Sequence, residues 1–274
     1  MRVTWNFSRR RFRQYKSADV LIFSVAKSGR TWLRVLLNKY LSLLYNIPFD
    51  INNLCESNPQ IPFLFFNHEY WTHYSEDSWW DYMRGEHICP DKMLNRKKVI
   101  LLSRDPRDVV VSLYFQKTKR SENKIVTEMS HFIRNEKYGI NGIIHVMNIW
   151  RERLRDNPHT LWTGYEDLRT DTYKELERIV KFLNLKEVNS DMIHEAIAFA
   201  DFKNMLKMER EHVFDNPILL PGNMSDPDSF KVRKGKVGDY INYFNKSDIE
   251  YLNHALKSLD NFYGYTEQNV KIRE

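Results

Sequence analysis

Cysteine is nearly absent: Cys55 and Cys89 are the only two in 274 residues. That is too few for a disulfide framework, and their spacing is not that of a zinc site. Long apolar runs are missing too. The longest, such as residues 99–102 and 109–111, have strand or helix-face lengths and fall far short of the roughly 18 uninterrupted apolar residues of a membrane span. Glycine and proline are scarce at nine each, which excludes collagen-like and low-complexity chains. Residues 1–16 carry arginines at positions 2, 9, 10, 11 and 13 but no apolar stretch before a small-residue cleavage site, so no secretory signal is expected. A soluble, cytoplasmic protein with no transmembrane segment is the expectation.

What is present suits a globular protein. Hydrophobic residues make up 42% and charged residues 28%, enough for a core without staples of disulfide or metal. A single domain over residues 1–274 is expected, with 1–17 as a basic N-terminal extension. Lysine and arginine exceed aspartate and glutamate by 42 to 36, a surplus that favours anionic partners without naming them. Residues 8–16 form the densest basic patch and read as a solvated terminus rather than a nucleic-acid arm.

Along the chain, residues 20–25 (VLIFSV) read as a strand, followed by a tight loop, AKSGR, and a helix with leucines at helical spacing. Residues 61–66 and 99–103 are further short strands, apolar on both faces as in a buried parallel sheet, and residues 160–163 are another strand. Helices are expected from Asp105-Pro106 to about Lys117, and over 140–155, 170–183, 190–199 and 247–259. Strands alternating with helices predict a three-layer α/β/α fold around a central parallel sheet. Residues 215–238, rich in Pro, Gly, Asn, Asp and Ser, predict a long ordered loop that covers a ligand.

The first strand-loop-helix places Lys27, Ser28, Gly29, Arg30 and Thr31 where a helix begins. Backbone N–H groups, the helix dipole, a lysine and two hydroxyls converge there, which makes an anion site and most naturally a phosphate site. The order of the Walker A loop is not met, because the lysine precedes Gly29. Nor do His68-Glu69 and His73 make a zinc signature, since the histidines stand five apart instead of four. No metal is expected.

Four segments in order carry a family resemblance. VAKSGRTWL resembles PKSGTTWL, the 5′-phosphosulfate loop of sulfotransferases that use 3′-phosphoadenosine 5′-phosphosulfate (PAPS). LLSRDPRDVVVSLYF resembles the family's 3′-phosphate segment, RKGKVGDY its RKGxxGDWxxxF signature, and GYEDL the segment that brings a tyrosine to the adenine. The chain is thus similar to cytosolic-type sulfotransferases, as a bacterial-like or divergent member. The resemblance implies the P-loop NTPase-like sulfotransferase fold and transfer of the sulfuryl group of PAPS to an acceptor hydroxyl or amine, leaving adenosine 3′,5′-bisphosphate (PAP).

It also implies roles. Lys27 would contact the transferring group and the bridging oxygen, with Ser28, Gly29, Arg30 and Thr31 around the 5′-phosphate. Arg104, Ser112, Arg233, Lys234 and Gly235 would hold the 3′-phosphate, and Trp32, Tyr165 and Phe202 would frame the adenine. His68, after the second strand, would be the base, with His73 and His87 as rivals; an imidazole suits the task because it is largely unprotonated at neutral pH. The sequence departs from the family at Arg30, where a threonine is usual, at Tyr240 for tryptophan, and at Ala200 for a threonine near the adenine. Tyr70, Trp71, Tyr74, Trp79 and Trp80 are expected to line the cleft for a small-molecule, carbohydrate or lipid acceptor. An ATP-dependent phosphotransferase and a nucleic-acid-binding protein are the competing readings.

Overall fold

The computed structural model describes residues 11–185, 187–214 and 216–267. Arginines 2, 9 and 10 of the basic N-terminal extension, and Asp215 at the start of the expected covering loop, lie outside the described residues. Four strands, β1 (Val20–Ser24), β2 (Leu64–Asn67), β3 (Lys98–Ser103) and β4 (Thr160–Gly164), form one parallel sheet in the order β2-β1-β3-β4. The central strand β1 is buried along its whole length. Because successive side chains of a strand point to opposite faces, Leu21, Phe23, Val99 and Leu101 enter one core and Val20, Ile22, Ile100 and Leu102 the other.

Helices cover both faces, which is why the strands read as continuous apolar runs instead of alternating ones. One core includes residues of α4 (Pro106–Phe115), α5 (Ile140–Leu154) and α10 (Lys246–Leu256). The other includes residues of α1 (Arg30–Leu44), α7 (Thr172–Leu183) and α8 (Ser190–Phe199). The expected three-layer α/β/α architecture is therefore the observed one.

Three local differences have physical causes. The second strand begins at Leu64, later than its apolar run, because Pro62 has no N–H to give the ladder and Phe63 is hooked to Asp19: its N–H donates to the Asp19 carboxylate at 2.8 Å and its carbonyl accepts from Asp19 N–H at 3.0 Å. The helix expected over 170–183 is α7, which starts at Thr172 because Asp171 caps it by accepting from Lys174 N–H, and a separate short helix, α6 (Tyr165–Thr170), precedes it. The short helices α2 (Tyr70–Ser75) and α3 (Trp79–Arg84), and α9 (Phe202–Arg210), were not anticipated.

The described part of the basic terminus is not a solvated tail. Residues 11–17 are helical, and Tyr15 is fully buried with its ring edge-on to Phe23 and Phe65. Burial of that aromatic outweighs the solvation of its charged neighbours, which stay at the surface or, like Arg11, reach Asn67.

Candidate active site

A cavity of about 330 Å³ opens at the C-terminal ends of the strands, where open α/β sheets bind ligands. Its floor is the loop from β1 to α1. Lys27 and Gly29 both adopt left-handed backbone conformations, φ 73° and 93°, and no side chain caps α1 and no acidic residue sits in its first turn. The first N–H groups of the helix therefore face the cavity without an internal partner. Gly29 is required twice over: beyond its φ, a Cβ there would stand 2.4 Å from the Tyr165 ring.

Arg104, at the end of β3, ties three segments together. Its guanidinium donates to the carbonyls of Lys27 (3.2 Å) and Lys236 (3.1 Å), stacks on the Tyr165 ring at 4.3 Å, and lies 3.6 Å from Asp108. Asp108, one turn into α4, accepts from Gly238 and Tyr240 N–H at 2.8 and 3.1 Å, which pins the 233–238 segment against the sheet. Ser112 lines the cavity one turn further on. Arg233 lies over the Phe115 ring at 4.0 Å and bonds the Tyr243 hydroxyl, while Lys234 pairs with Asp239 at 3.0 Å. At Gly235, φ 62°, a Cβ would meet the Phe202 ring at 2.8 Å, so only glycine permits that close approach.

Trp32, Tyr165 and Phe202 form the aromatic side. Trp32 donates its indole N–H to the Ala200 carbonyl at 3.0 Å and meets Tyr165 edge-on at 5.7 Å. Tyr165 is held by its neighbours: Asp167 accepts from Gly164 N–H, and buried Glu166 accepts from Asp105 N–H and the Tyr265 hydroxyl. Burial pushes the Glu166 carboxyl up to about 7. Phe202 stands at the start of α9, which Asp201 caps by accepting from Lys203 N–H.

His68 lines the same cavity, directly beyond β2. Its Nδ1 is 2.9 Å from the Ser24 carbonyl; a carbonyl can only accept, so Nδ1 carries the proton and Nε2 keeps its lone pair. Burial, reinforced by the charge of Arg30, holds the imidazole well below its usual pKa. The next residue fixes the ring's backbone. Glu69, fully buried, accepts from Tyr70 and Cys89 N–H, the Trp150 indole and Arg153 at 2.7 to 2.8 Å. Lys27 is half-buried, and desolvation together with Arg120 and Lys231 holds its ammonium well below the usual value.

All the candidate residues except Ser28 line this one cavity; Ser28 is buried beneath it, with its N–H donating to the Val25 carbonyl. The rival histidines are elsewhere, both with Nδ1 on the buried Asp77 carboxylate. The aromatic cleft is corrected as well. Trp71 is buried in the core, Tyr70 and Tyr74 pack against it, and Trp79 and Trp80 stand 64% and 63% exposed on α3; none lines the cavity. Their periodicity follows α2 and α3, which the sequence reading lacked. Asp108, Gln116, Arg120 and Lys231 are cavity residues that it missed. Asp108 carried a usable signal as an acidic residue in the first turn of the helix that follows the Arg104 strand end; Arg120 carried none.

The sequence model of the sulfotransferase domain matches residues 17–266. The chain belongs to this family. Among relatives of this sulfotransferase, cytosolic sulfotransferase 8 of Arabidopsis thaliana is 26% identical over 266 residues, covering 84% of this chain and 73% of the relative. The 3-beta-hydroxysteroid sulfotransferase of Cavia porcellus is 30% identical over 171 residues, 60% and 56% of the two chains. Two solved structures share its fold. Retinol dehydratase in complex with androsterone and the inactive cofactor PAP superposes with a TM-score of 0.60 at 19% identity, covering 92% of this chain and 84% of the other. A mouse sulfotransferase complexed with PAP gives 0.59 at 18%, covering 89% and 84%. Among the described residues of this enzyme, no helix is long and apolar enough to cross a membrane.

Proposed function

We propose that this sulfotransferase moves the sulfuryl group of PAPS to a hydroxyl or amine of a small-molecule, carbohydrate or lipid acceptor, in the cytoplasm, as one domain without nucleic acid. The observation that carries the reading is the open N-terminus of α1 beside Arg104, a shielded and incompletely paired cation. Arg104 Nε is shielded from solvent and has no hydrogen-bond partner among the described residues. Such groups are costly unless an anion meets them. The cradles at Gly29 and Gly235, which a Cβ would fill, fit the close approach of phosphate oxygens.

When bound, PAPS supplies an activated sulfuryl group on a phosphate leaving group. In this reading Ser28, Gly29, Arg30 and Thr31 surround the 5′-phosphate; Arg104, Ser112, Arg233, Lys234 and Gly235 hold the 3′-phosphate. Trp32, Tyr165 and Phe202 frame the adenine, and the loop reaching residue 238 covers it. Lys27 and the helix N-terminus stabilise the charge that gathers on the bridging oxygen. His68 Nε2 takes the acceptor's proton as the acceptor oxygen or nitrogen bonds sulfur; the bond from sulfur to the bridging oxygen breaks, and its electron pair leaves on PAP.

Calorimetric titration with PAP, AMP and Mg·ATP at one salt concentration tests the donor. Tight binding of PAP and much weaker binding of AMP are expected; binding of Mg·ATP alone would assign a phosphotransferase instead. The base has its own signature. Because the His68 pKa lies well below 6.5, kcat/KM should remain level on acidification past the pH at which an ordinary histidine protonates. An acid limb with its midpoint at or above 6.5 would remove His68 from that role.

A further inference from the structure

We infer that the acceptor carries an anionic group, a carboxylate, sulfate or phosphate, held by Arg30, Arg120 and Lys231 on the His68 side of the cavity. The inference rests on the donor reading above, since it takes His68 as the point where the acceptor reacts.

That reading uses the cations at Arg104, Arg233 and Lys234 for the 3′-phosphate and Lys27 for the leaving group. Three more basic side chains line the same cavity. Arg30 belongs to the phosphate loop by its backbone, and its charge reaches His68. It is the strongest charge acting on His68, and it is itself repelled by Arg34 and Arg11; Arg11 reaches Asn67, the residue before His68. Arg120 arrives through a π-helical turn, residues Gln116–Arg120, that continues α4. Such turns shift the register of a helix and recur at functional sites. Here Gln116 and Arg120 both face the cavity, joined by a 2.8 Å hydrogen bond. Lys231 comes from the covering segment, two residues before Arg233.

These cations are held but not neutralised. Arg120 donates to the Leu220 carbonyl and Lys231 to the Ile218 carbonyl, both at 2.7 Å. Neutral acceptors fix position without cancelling charge. The Nε of Arg120 and Nη1 of Arg30 are shielded and have no hydrogen-bond partner among the described residues. The nearby carboxylate, Glu209, is fully buried and accepts from Lys231 and Val232 N–H at 2.6 and 2.8 Å. Glu76 at the rim is paired with Lys117 at 3.1 Å. Three guanidinium and ammonium groups gathered around Lys27, with one carboxylate among them, form a site that an anion completes. Burial and mutual repulsion agree with this, pushing Arg30 down to about 9 and Lys231 to about 7. An acceptor with a purely apolar body would bring these cations no counter-charge beyond Glu209.

The test measures binding of matched acceptor analogues to PAP-loaded protein by calorimetry: 4-hydroxyphenylacetate against 4-hydroxyphenylacetamide, and glucose 6-phosphate against methyl glucoside. At least one anionic probe should bind about tenfold or more tightly than its neutral twin. In R120Q/K231M that preference should shrink to about threefold or less. A wild-type protein that binds the twins equally, prefers the neutral ones, or binds no anionic probe overturns the inference. So does a double variant in which both twins weaken alike, since the cations would then serve the donor or the fold. PAP affinity is measured first on each protein: failure of the wild type to bind PAP sinks the donor reading itself, and a double variant that cannot bind PAP is replaced by the two single substitutions under the same criteria.

Discussion

Lys27→Ala should lower kcat by about 10²–10³-fold, the scale seen when a preorganised group facing developing charge is removed, measured with the best acceptor of the matched pairs. The ammonium sits at the junction of β1 and α1, desolvated and crowded by Arg120 and Lys231, with its hydrogen bond to Gln116 at the 3.5 Å limit. In the free protein this is an expensive place for a charge. The same substitution should therefore leave the melting temperature of the free protein unchanged or raise it, because it removes a desolvated cation. Loss of activity together with retained or gained stability separates a group held for chemistry from one held for the fold. Turnover close to that of the wild type would remove Lys27 from the transfer step.

His68→Ala should lower kcat by about 10²–10⁴-fold, the usual contribution of a positioned general base, while PAP affinity stays nearly intact. The separation is expected from the architecture: the ring is anchored to Ser24 at the end of β1 and backed by the Glu69 network, whereas the proposed phosphate contacts come from α1, β3 and the 233–238 segment. Added imidazole should restore part of the lost rate, which a merely structural histidine would not allow. Unchanged turnover in the variant, or a loss explained entirely by weaker PAP binding, would assign the proton to another group.

The resemblance was legible because its residues are local. A phosphate loop, an Arg-Asp-Pro turn, a Tyr-Glu-Asp-Leu turn and an Arg-Lys-Gly turn each sit at a strand end or helix start, where a short segment defines its own backbone. Strand alternation was equally readable, since a sheet covered on both faces leaves apolar runs of strand length. Acceptor-side features were not. Trp79 and Trp80 looked like cleft walls because aromatic content says nothing about direction; on α3 they face solvent. Tyr15 looked solvated among arginines because charge density does not report which neighbour is buried.

Sequence alone determined the parallel sheet and the anion-binding turn after β1, set by local backbone preference and apolar periodicity, and its resemblance to the family pointed to the four segments and to the histidine following the second strand. Tertiary structure decided which nitrogen of His68 is free, through the Ser24 carbonyl 2.9 Å away, and which cations share a cavity. Arg30, Arg120 and Lys231 are far apart in the chain, and what gathers them is a left-handed loop, a π-helical turn and the packing of one segment over another. Those are long-range outcomes of burying two cores against one sheet, and no window of sequence contains them.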